Sequence, residues 1–394
     1  MCLAAIVPFY QRWRRLVRSQ IYQRSPTTGE AWGRQWSPYV DIFLSDGELY
    51  SFMTADTGFE PHCKVIAEAG VNHNGDIEIA KDLVDAAASA GADAVKFQTF
   101  QPKEVATAQT EQADYQKERD ASTNQYEMLD NVKLREEDHD VLMEYCQEVG
   151  IEFMSTPYDP ESVEILESTG VDRYKVASAD IVNKPLLSAI AETGKPVILS
   201  TGMANLGEIE RAVEFLRFRN CGDVTLLHCV SSYPAKATQL NMRFIETLAT
   251  AFPGQVGFSD HTRGVVAPVL AMGYGASVIE KHFTLDRGME GPDHYASLEP
   301  DELSQMVDNV RFAEKAIGST RRLISTVERN NKHSMRRSLH ASRDIESGAA
   351  ISPDDLLIVR PDEGIDPWNY DDVVGKSTTQ EIPKHAPITW DHIA

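Results

Sequence analysis

From Lys64 to Ile317 the chain repeats one unit: a short β-rich run, a polar residue, a loop, then a helical segment. The β-rich runs are Lys64–Glu68, Ala94–Gln98, Glu152–Ser155, Arg173–Ala177, Pro196–Ser200, Val224–His228, Gln255–Ser259 and Ser277–His282. Helical patterning marks Ile77–Ala90, Glu136–Val149, Pro160–Ser168, Pro185–Glu192, Leu206–Leu216, Asn241–Ala251 and Gly264–Tyr274, and Asp301–Ile317 follows the last run. Eight strands alternating with eight helices over about 255 residues predict an α/β fold of the (β/α)8 TIM-barrel type. A doubly wound sheet is the alternative. Against it, the first strand is followed by Gly70-Val-Asn-His-Asn-Gly75, which lacks the spacing of a dinucleotide fingerprint.

In such a barrel the chemistry gathers at the C-terminal strand ends. Nearly every end here is polar: Glu68, Lys96 and Gln98, Ser155 and Thr156, Lys175 and Ser178, Ser200 and Thr201, His228 and Ser231, Ser259 to His261, and His282. One polar strand end is an ordinary loop beginning, whereas eight converging on one mouth suggest a site. Lys96 and Lys175, with Thr156, Ser178, Ser200 and Ser259, supply the cationic and hydroxyl donors that suit a phosphate or carboxylate. An ion pair with a barrel carboxylate is the other reading of either lysine. Glu68 ends its strand after Val-Ile-Ala, where a buried carboxylate is costly without a partner or a task.

His261 and His282 stand 21 residues apart, each closing an apolar run, with a helical segment between them. Neighbouring strands lie about 4.8 Å apart, so the two imidazoles are expected to share one metal ion. Two histidines alone leave positions for water or substrate, which suits a Lewis acid better than a closed structural site. Mn²⁺ is the expected ion, with Mg²⁺ or Co²⁺ as substitutes, in preference to zinc. Two satisfied strand-end histidines are the plainer reading.

The net charge of −22 argues against nucleic acid or an anionic membrane as partner. With 23 Arg against 15 Lys and 60 acidic residues, the chain reads as adapted to a high-salt cytoplasm. A solvated acidic surface in an ordinary cytoplasm is the alternative. The five cysteines form no CxxC pair and are expected to be reduced thiols of a cytoplasmic protein. A Cys229/His228 nucleophile is conceivable, a buried strand-end thiol the simpler reading. No apolar run reaches the ~18 residues of a membrane-spanning helix. In Cys2–Tyr10 the apolar stretch precedes the arginines, the reverse of a signal peptide. Residues 1–52 carry six Arg and four acidic residues and show no clear period. They read as an appended segment, or as translated upstream sequence with the start at Met53. A nucleic-acid-binding arm is the lesser alternative.

A family resemblance rests on a series of motifs. They are Ile66-Ala-Glu-Ala-Gly-Val-Asn-His-Asn-Gly75, Ala94-Val-Lys-Phe-Gln-Thr-Phe100, Asn124-Gln-Tyr-Glu-Met-Leu129, Tyr174-Lys-Val-Ala-Ser178, Leu199-Ser-Thr-Gly-Met203, Phe258-Ser-Asp-His-Thr262, Glu280-Lys-His-Phe-Thr284, Gly291-Pro-Asp-His294 and Ala296-Ser-Leu-Glu-Pro-Asp-Glu-Leu303. Together they resemble the sialic acid synthase family over about residues 60–394. The resemblance implies a (β/α)8 barrel followed by a small antifreeze-like (SAF) domain. The expected domains are therefore a barrel at 53–318, a polar and basic linker at 319–334, and an SAF domain at 335–394. The implied reaction condenses phosphoenolpyruvate with N-acetylmannosamine or a related N-acylated amino sugar and releases phosphate. A legionaminic-type synthase using a 2,4-diacetamido-trideoxy sugar is the alternative.

Carried over by position, the resemblance makes His261 and His282 metal ligands and Glu68 the catalytic carboxylate. Lys96, Thr156, Lys175, Ser178, Ser200 and Ser259 would cradle phosphoenolpyruvate, and Gln98, Asp180, Tyr233, Asp293 and Arg360 would face the sugar. Asp180 replaces a Glu found in some members, and Asp362 stands where Gly is common, so the sugar itself stays open. The resemblance also implies a domain-swapped homodimer, with Arg360 of each SAF domain reaching the partner's barrel. Three rivals fit less well. A synthase for a phosphorylated aldose would need more basic residues at the sugar end. A Schiff-base aldolase would want a lysine on a strand such as Val224–His228, which has none. A carbohydrate-binding protein on an inert barrel would have lost the site residues that are present.

Overall fold

The computed structural model describes residues 62–112, 122–318 and 322–394. The segment 1–52, with its alternative readings, lies outside the described residues. Eight parallel strands follow in order: β1 (Lys64–Gly70), β2 (Ala94–Thr99), β3 (Glu152–Pro157), β4 (Tyr174–Val176), β5 (Val197–Ser200), β6 (Val224–Cys229), β7 (Val256–Asp260) and β8 (Val278–His282). Their order in the sheet is β3-β2-β1-β8-β7-β6-β5-β4. β1 pairs with β8, and the end strands β3 and β4 stand side by side, so the sheet forms the expected, nearly closed TIM-type barrel.

The helices that follow the strands match the sequence reading closely, from Ile77–Ser89 to Pro300–Ile317. Their caps are legible locally. Asp76, Asp159 and Asn205 each accept a backbone N–H of the first turn through the side chain. Gly150 and Gly170 end helices in the left-handed conformation. Among the described residues, the β2–β3 connection holds two helices before Glu136–Val149 that the sequence reading lacks, Pro102–Val105 and Gln125–Val132. The region read as a linker, 319–334, carries a third unanticipated helix, Thr326–Met335, capped by Ser325.

Alternation along the strands sets the barrel's layers. Ile66, Ala94, Met154, Ile198, Leu227 and Val278 form a buried apolar cluster inside the barrel. Two residues further along the same strands stand Glu68, Lys96, Thr156, Ser200, Cys229 and Glu280, all lining one cavity. The apolar plug is therefore the floor on which the polar layer rests. Gly257 belongs to the plug level of β7, where a Cβ would lie 2.4 Å from the Val278 carbonyl oxygen. Any side chain there would force β7 away from β8.

At the opposite end, Asp93 accepts from the Val65 backbone N–H (2.6 Å) and from Arg311 (2.7 Å), tying the last barrel helix to the start of β1 and β2. Beyond the helix Thr326–Met335, β9 (Ser338–Ala341) and β10 (Leu356–Val359) pair antiparallel. Leu339, Ile345, Ile351, Ile365, Val373, Ile382 and Ile388 form a second core, separate from that of the barrel.

Candidate active site

The polar layer lines a cavity of about 780 Å³ at the C-terminal mouth of the barrel, within the size range of small-molecule sites. Of the residues expected from the sequence, Glu68, Lys96, Gln98, Thr156, Lys175, Ser178, Ser200, Tyr233, Ser259, His261, His282 and Asp293 all line it. Asp180 and Arg360 do not. Asp180 lies in the short helix Ser178–Val182 and accepts from Asn183 Nδ2 at 3.0 Å. Arg360 follows β10 and is exposed.

Both floor lysines are buried and ion-paired, as the plainer reading of each anticipated. Lys96 Nζ contacts Glu68 and lies 3.0 Å from the Thr156 hydroxyl. Lys175 Nζ lies 3.4 Å from Glu280. Glu280 went unrecognised as a site residue in the sequence, although it lies within a quoted motif, two residues before His282. It accepts from Ser259 Oγ at 2.8 Å, and its second oxygen lies 3.7 Å from Lys96. Two carboxylates and two lysines thus neutralise one another in a closed space.

Their protonation is unequal. Burial pushes the Glu68 carboxyl up to about 7; Lys96 opposes this and Glu280 adds to it. Burial also works to raise Glu280, but Lys175, Lys96 and the Ser259 hydroxyl outweigh it and hold it at about 2. Burial pulls Lys96 down, yet Glu280 and Glu68 together carry it above the usual lysine range. Glu280 is therefore the standing anion and Glu68 the carboxyl able to exchange a proton near neutrality. Ser200 Oγ is buried without a protein partner, a donor left for a ligand.

The two histidine rings have centroids 5.5 Å apart. His261 donates through Nδ1 to the Val230 carbonyl at 2.7 Å, which leaves the Nε2 lone pair bare. Burial lowers both imidazoles below their ordinary range, and His282 is lowered further by His261 and Lys96. His282 Nδ1 is buried without a partner. Two neutral rings, one oriented by a carbonyl and one with an unmatched nitrogen, fit a shared divalent ion. Among the described residues no group of three His, Cys, Asp or Glu forms a metal cluster. The Tyr233 ring lies 4.2 Å from that of His261, centroid to centroid. Burial raises Asp293 to about 6.

The Cys229/His228 pair is not a nucleophilic dyad. His228 Nε2 donates to the Leu240 carbonyl at 2.6 Å, and Cys229 Sγ instead meets Ser178 Oγ at 3.2 Å. Burial raises the Cys229 thiol above its ordinary range. Cys63, Cys146, Cys221 and Cys229 are all free thiols.

A profile of the NeuB family matches residues 83–322, and one of the SAF domain matches residues 336–394. The chain belongs to the NeuB family. An N,N'-diacetyllegionaminic acid synthase of Legionella pneumophila is 44% identical over 84% of this chain and 94% of its own length. A synthase of the same name from Campylobacter jejuni is 43% identical over 80% of this chain and 96% of its own. Among solved structures, a citrate complex of the N-acetylneuraminic acid synthetase of Leptospira borgpetersenii superposes with a TM-score of 0.63. It is 35% identical, over 69% of this chain and 90% of that one. The barrel, the SAF domain and a condensing synthase of the sialic acid type, as expected from the sequence, stand.

Proposed function

We propose that this family member condenses phosphoenolpyruvate with a 2,4-diacetamido-trideoxy sugar to give a legionaminic-type acid and phosphate. The carrying observation for the reaction is the cavity floor: two buried lysines, an unpartnered Ser200 hydroxyl and a neutral histidine pair within one cavity. The sugar is supported by relatives. Legionaminic acid synthases are 44% and 43% identical, against 35% for the N-acetylneuraminic acid synthetase. On this point the sequence reading, which put N-acetylmannosamine first, is revised to its alternative.

Lys96, Lys175, Thr156, Ser178, Ser200 and Ser259 hold the phosphate and carboxylate of phosphoenolpyruvate, so that its C3 faces the aldehyde carbon of the open-chain sugar. A divalent ion on His261 and His282 would supply a Lewis acid for the aldehyde oxygen. C3 bonds to the aldehyde carbon, and C2 becomes electron-poor. Glu68 orients a water and takes its proton as oxygen bonds to C2. The C2–O bond to phosphorus-bearing oxygen then breaks as the new C2 hydroxyl gives its proton to the departing phosphate, leaving the 2-keto acid. The proton held by Glu68 goes to the former aldehyde oxygen, which took the C=O π pair and becomes a hydroxyl. Gln98, Tyr233 and Asp293 position the sugar from the upper layer.

Arg360 lines no part of this cavity, although it is exposed and rich in donors. The homodimer in which it completes the partner's site accounts for both facts. The deciding experiment for the sugar is a phosphate-release assay with purified enzyme and both acceptors. The trideoxy sugar should give a kcat/KM about ten-fold or more above that of N-acetylmannosamine. Equal values, or the reverse order, would return the assignment to N-acetylmannosamine.

A further inference from the structure

The cavity is not uniform around its rim. Over β6–β8 its lining is mostly polar, with Ser231, Ser232, Tyr233, His261 and His282. Over β1–β3, above Gln98 and beside Gln125, it carries a cluster of apolar side chains, Val71, Phe100, Met128, Leu129 and Val132, with the ring of Tyr158. Strand alternation explains the height of this second wall. Lys96, Gln98 and Phe100 follow at two-residue steps, as do Thr156 and Tyr158, and Gln98 pairs in register with Thr156. Phe100 and Tyr158 therefore stand one layer, ~6.6 Å, above the Gln98–Thr156 level. Their rings meet edge to face at 6.0 Å.

The helix Gln125–Val132 completes the wall. Asn124 caps it by accepting from the Glu127 N–H at 2.9 Å. Gln125, Met128, Leu129 and Val132 all line the cavity. Their spacing of i, i+3, i+4 and i+7 is one continuous helical stripe. Val71, Phe100 and Val132 are mutually packed and buried, with Leu129 and Tyr158 against them. Such a surface solvates a hydroxyl poorly and a methyl group well.

We infer that this wall receives the far end of the acceptor and makes the enzyme prefer a deoxy, acylamino-bearing terminus to a polyhydroxylated one. The inference rests on the reaction proposed above. The aldehyde carbon must meet phosphoenolpyruvate at the lysine floor, so the opposite end of the open chain rises toward the upper layer. In a 2,4-diacetamido-2,4,6-trideoxy sugar that end carries a methyl group and an acetamido methyl. In N-acetylmannosamine it carries hydroxyls, which would lose water against Phe100, Leu129 and Val132 without gaining a partner. Specificity for the sugar thus lies in the β2–β3 connection, while the chemistry lies on the strands.

The test is steady-state kinetics with both acceptors on the wild type, Leu129→Asn and Val132→Thr. In Leu129→Asn the ratio of kcat/KM, trideoxy sugar over N-acetylmannosamine, should fall about ten-fold or more, with the KM for phosphoenolpyruvate unchanged. Val132→Thr should move it the same way by less. A folded variant, checked by thermal melting, whose ratio stays within about two-fold of wild type would overturn the inference. A second measurement needs no variant: N-acetylmannosamine against its terminal-deoxy analogue on the wild type. The deoxy compound should be about ten-fold the better acceptor, and equal values would overturn the wall's role. The two levels of failure are distinguishable. A wild type that does not prefer the trideoxy sugar refutes the proposed substrate and this inference with it. A wild type that prefers it, with ratios unmoved by the substitutions, refutes the wall alone.

Discussion

Replacing Lys281 by Met should cost about 3–5 kcal/mol of stability, although Lys281 touches no substrate. Lys281 lies between Glu280 and His282, so alternation turns its side chain away from the cavity. Its register partner on β7 is Asp260. Both side chains are 0% exposed, with Nζ 2.6 Å from Oδ2. Lys281 also donates to the Thr262 carbonyl, and Asp260 accepts from Thr262 N–H (2.8 Å) and Oγ1 (3.0 Å). Burial lowers the Lys281 ammonium, and Asp260 opposes that. With an effective dielectric of about 20, a pair at this separation is worth ~6 kcal/mol in Coulomb energy. The Met variant forfeits that attraction and leaves the fully buried Asp260 side chain with only the Thr262 donors. Relaxation around Asp260 recovers some of the loss, which gives the 3–5 kcal/mol.

At 2–4 °C per kcal/mol the melting temperature should fall by about 10 °C. The double variant Asp260→Leu/Lys281→Met removes both charges and should melt within a few degrees of wild type, about 1 kcal/mol or less away. Denaturant titration of wild type, both single variants and the double variant gives the coupling directly. A Lys281→Met protein within about 1 kcal/mol of wild type would refute the reasoning, since the pair would then behave like an exposed one. Because Asp260 and Lys281 each precede a site histidine, the double variant also tests whether the pair sets the His261–His282 spacing. A folded double variant with weakened Mn²⁺ binding by calorimetry would show that it does.

Three further outcomes are expected. Exhaustive chelation should abolish turnover and Mn²⁺ restore it, and His261→Ala should bind the ion at least ten-fold more weakly in calorimetry while remaining folded; full activity in metal-free enzyme would refute the histidine pair's role. Asp93 is held below the usual carboxylate range because the Val65 N–H, Arg311 and His62 outweigh its burial. Its stabilisation is therefore present above the unfolded carboxyl value of about 3.9 and is lost as pH falls through its lower folded value. Asp93→Asn should be about 1.5–3 kcal/mol less stable than wild type at pH 7, and the gap should close toward pH 3; a gap independent of pH in thermal melts would argue against this. Glu68→Gln and Arg360→Ala homodimers should each be nearly inactive, yet their exchanged mixture should regain about a quarter of wild-type activity, because half the dimers then hold one intact site. No recovery, with wild-type exchange verified, would rule out the swapped cap.

The strands were legible because each carries an apolar run ending in a polar residue, and a barrel needs both. The runs at Val224–His228 and Ser277–His282 differ from β6 and β8 by a single residue at one end. The helix Gln125–Val132 was harder to see. Its apolar stripe is short and faces a cavity instead of the main core, so the motif Asn124–Leu129 shows in the sequence only as a family resemblance. Thr326–Met335 has no buried residue, so its polar sequence read as linker; its helicity comes from the Ser325 cap and the Glu328 that reaches back to it.

Glu280 shows where sequence reading of the site ran short and how it can be extended. A carboxylate at a strand's end, such as Glu68, attracts notice because the run stops there. Glu280 sits inside its strand, between Ile279 and Lys281, where a charge looks like an interruption. The alternation that places Val278 in the plug and His282 at the mouth requires Glu280 to point inward between them. An inward carboxylate at that depth needs cations, and only Lys96 and Lys175 stand at the same height on neighbouring or facing strands. Counting in steps of two from the apolar plug thus finds Glu280 and Lys96, and from Gly257 Ser259, while Lys175 faces inward between Tyr174 and Val176, which belong to the outer core. The same count, continued outward, passes Gln98 to Phe100 on β2 and reaches Tyr158 on β3. The floor that handles the charged substrate and the wall that meets the sugar are successive layers of one strand pattern. A substitution that slips β2 by one residue would therefore exchange both at once.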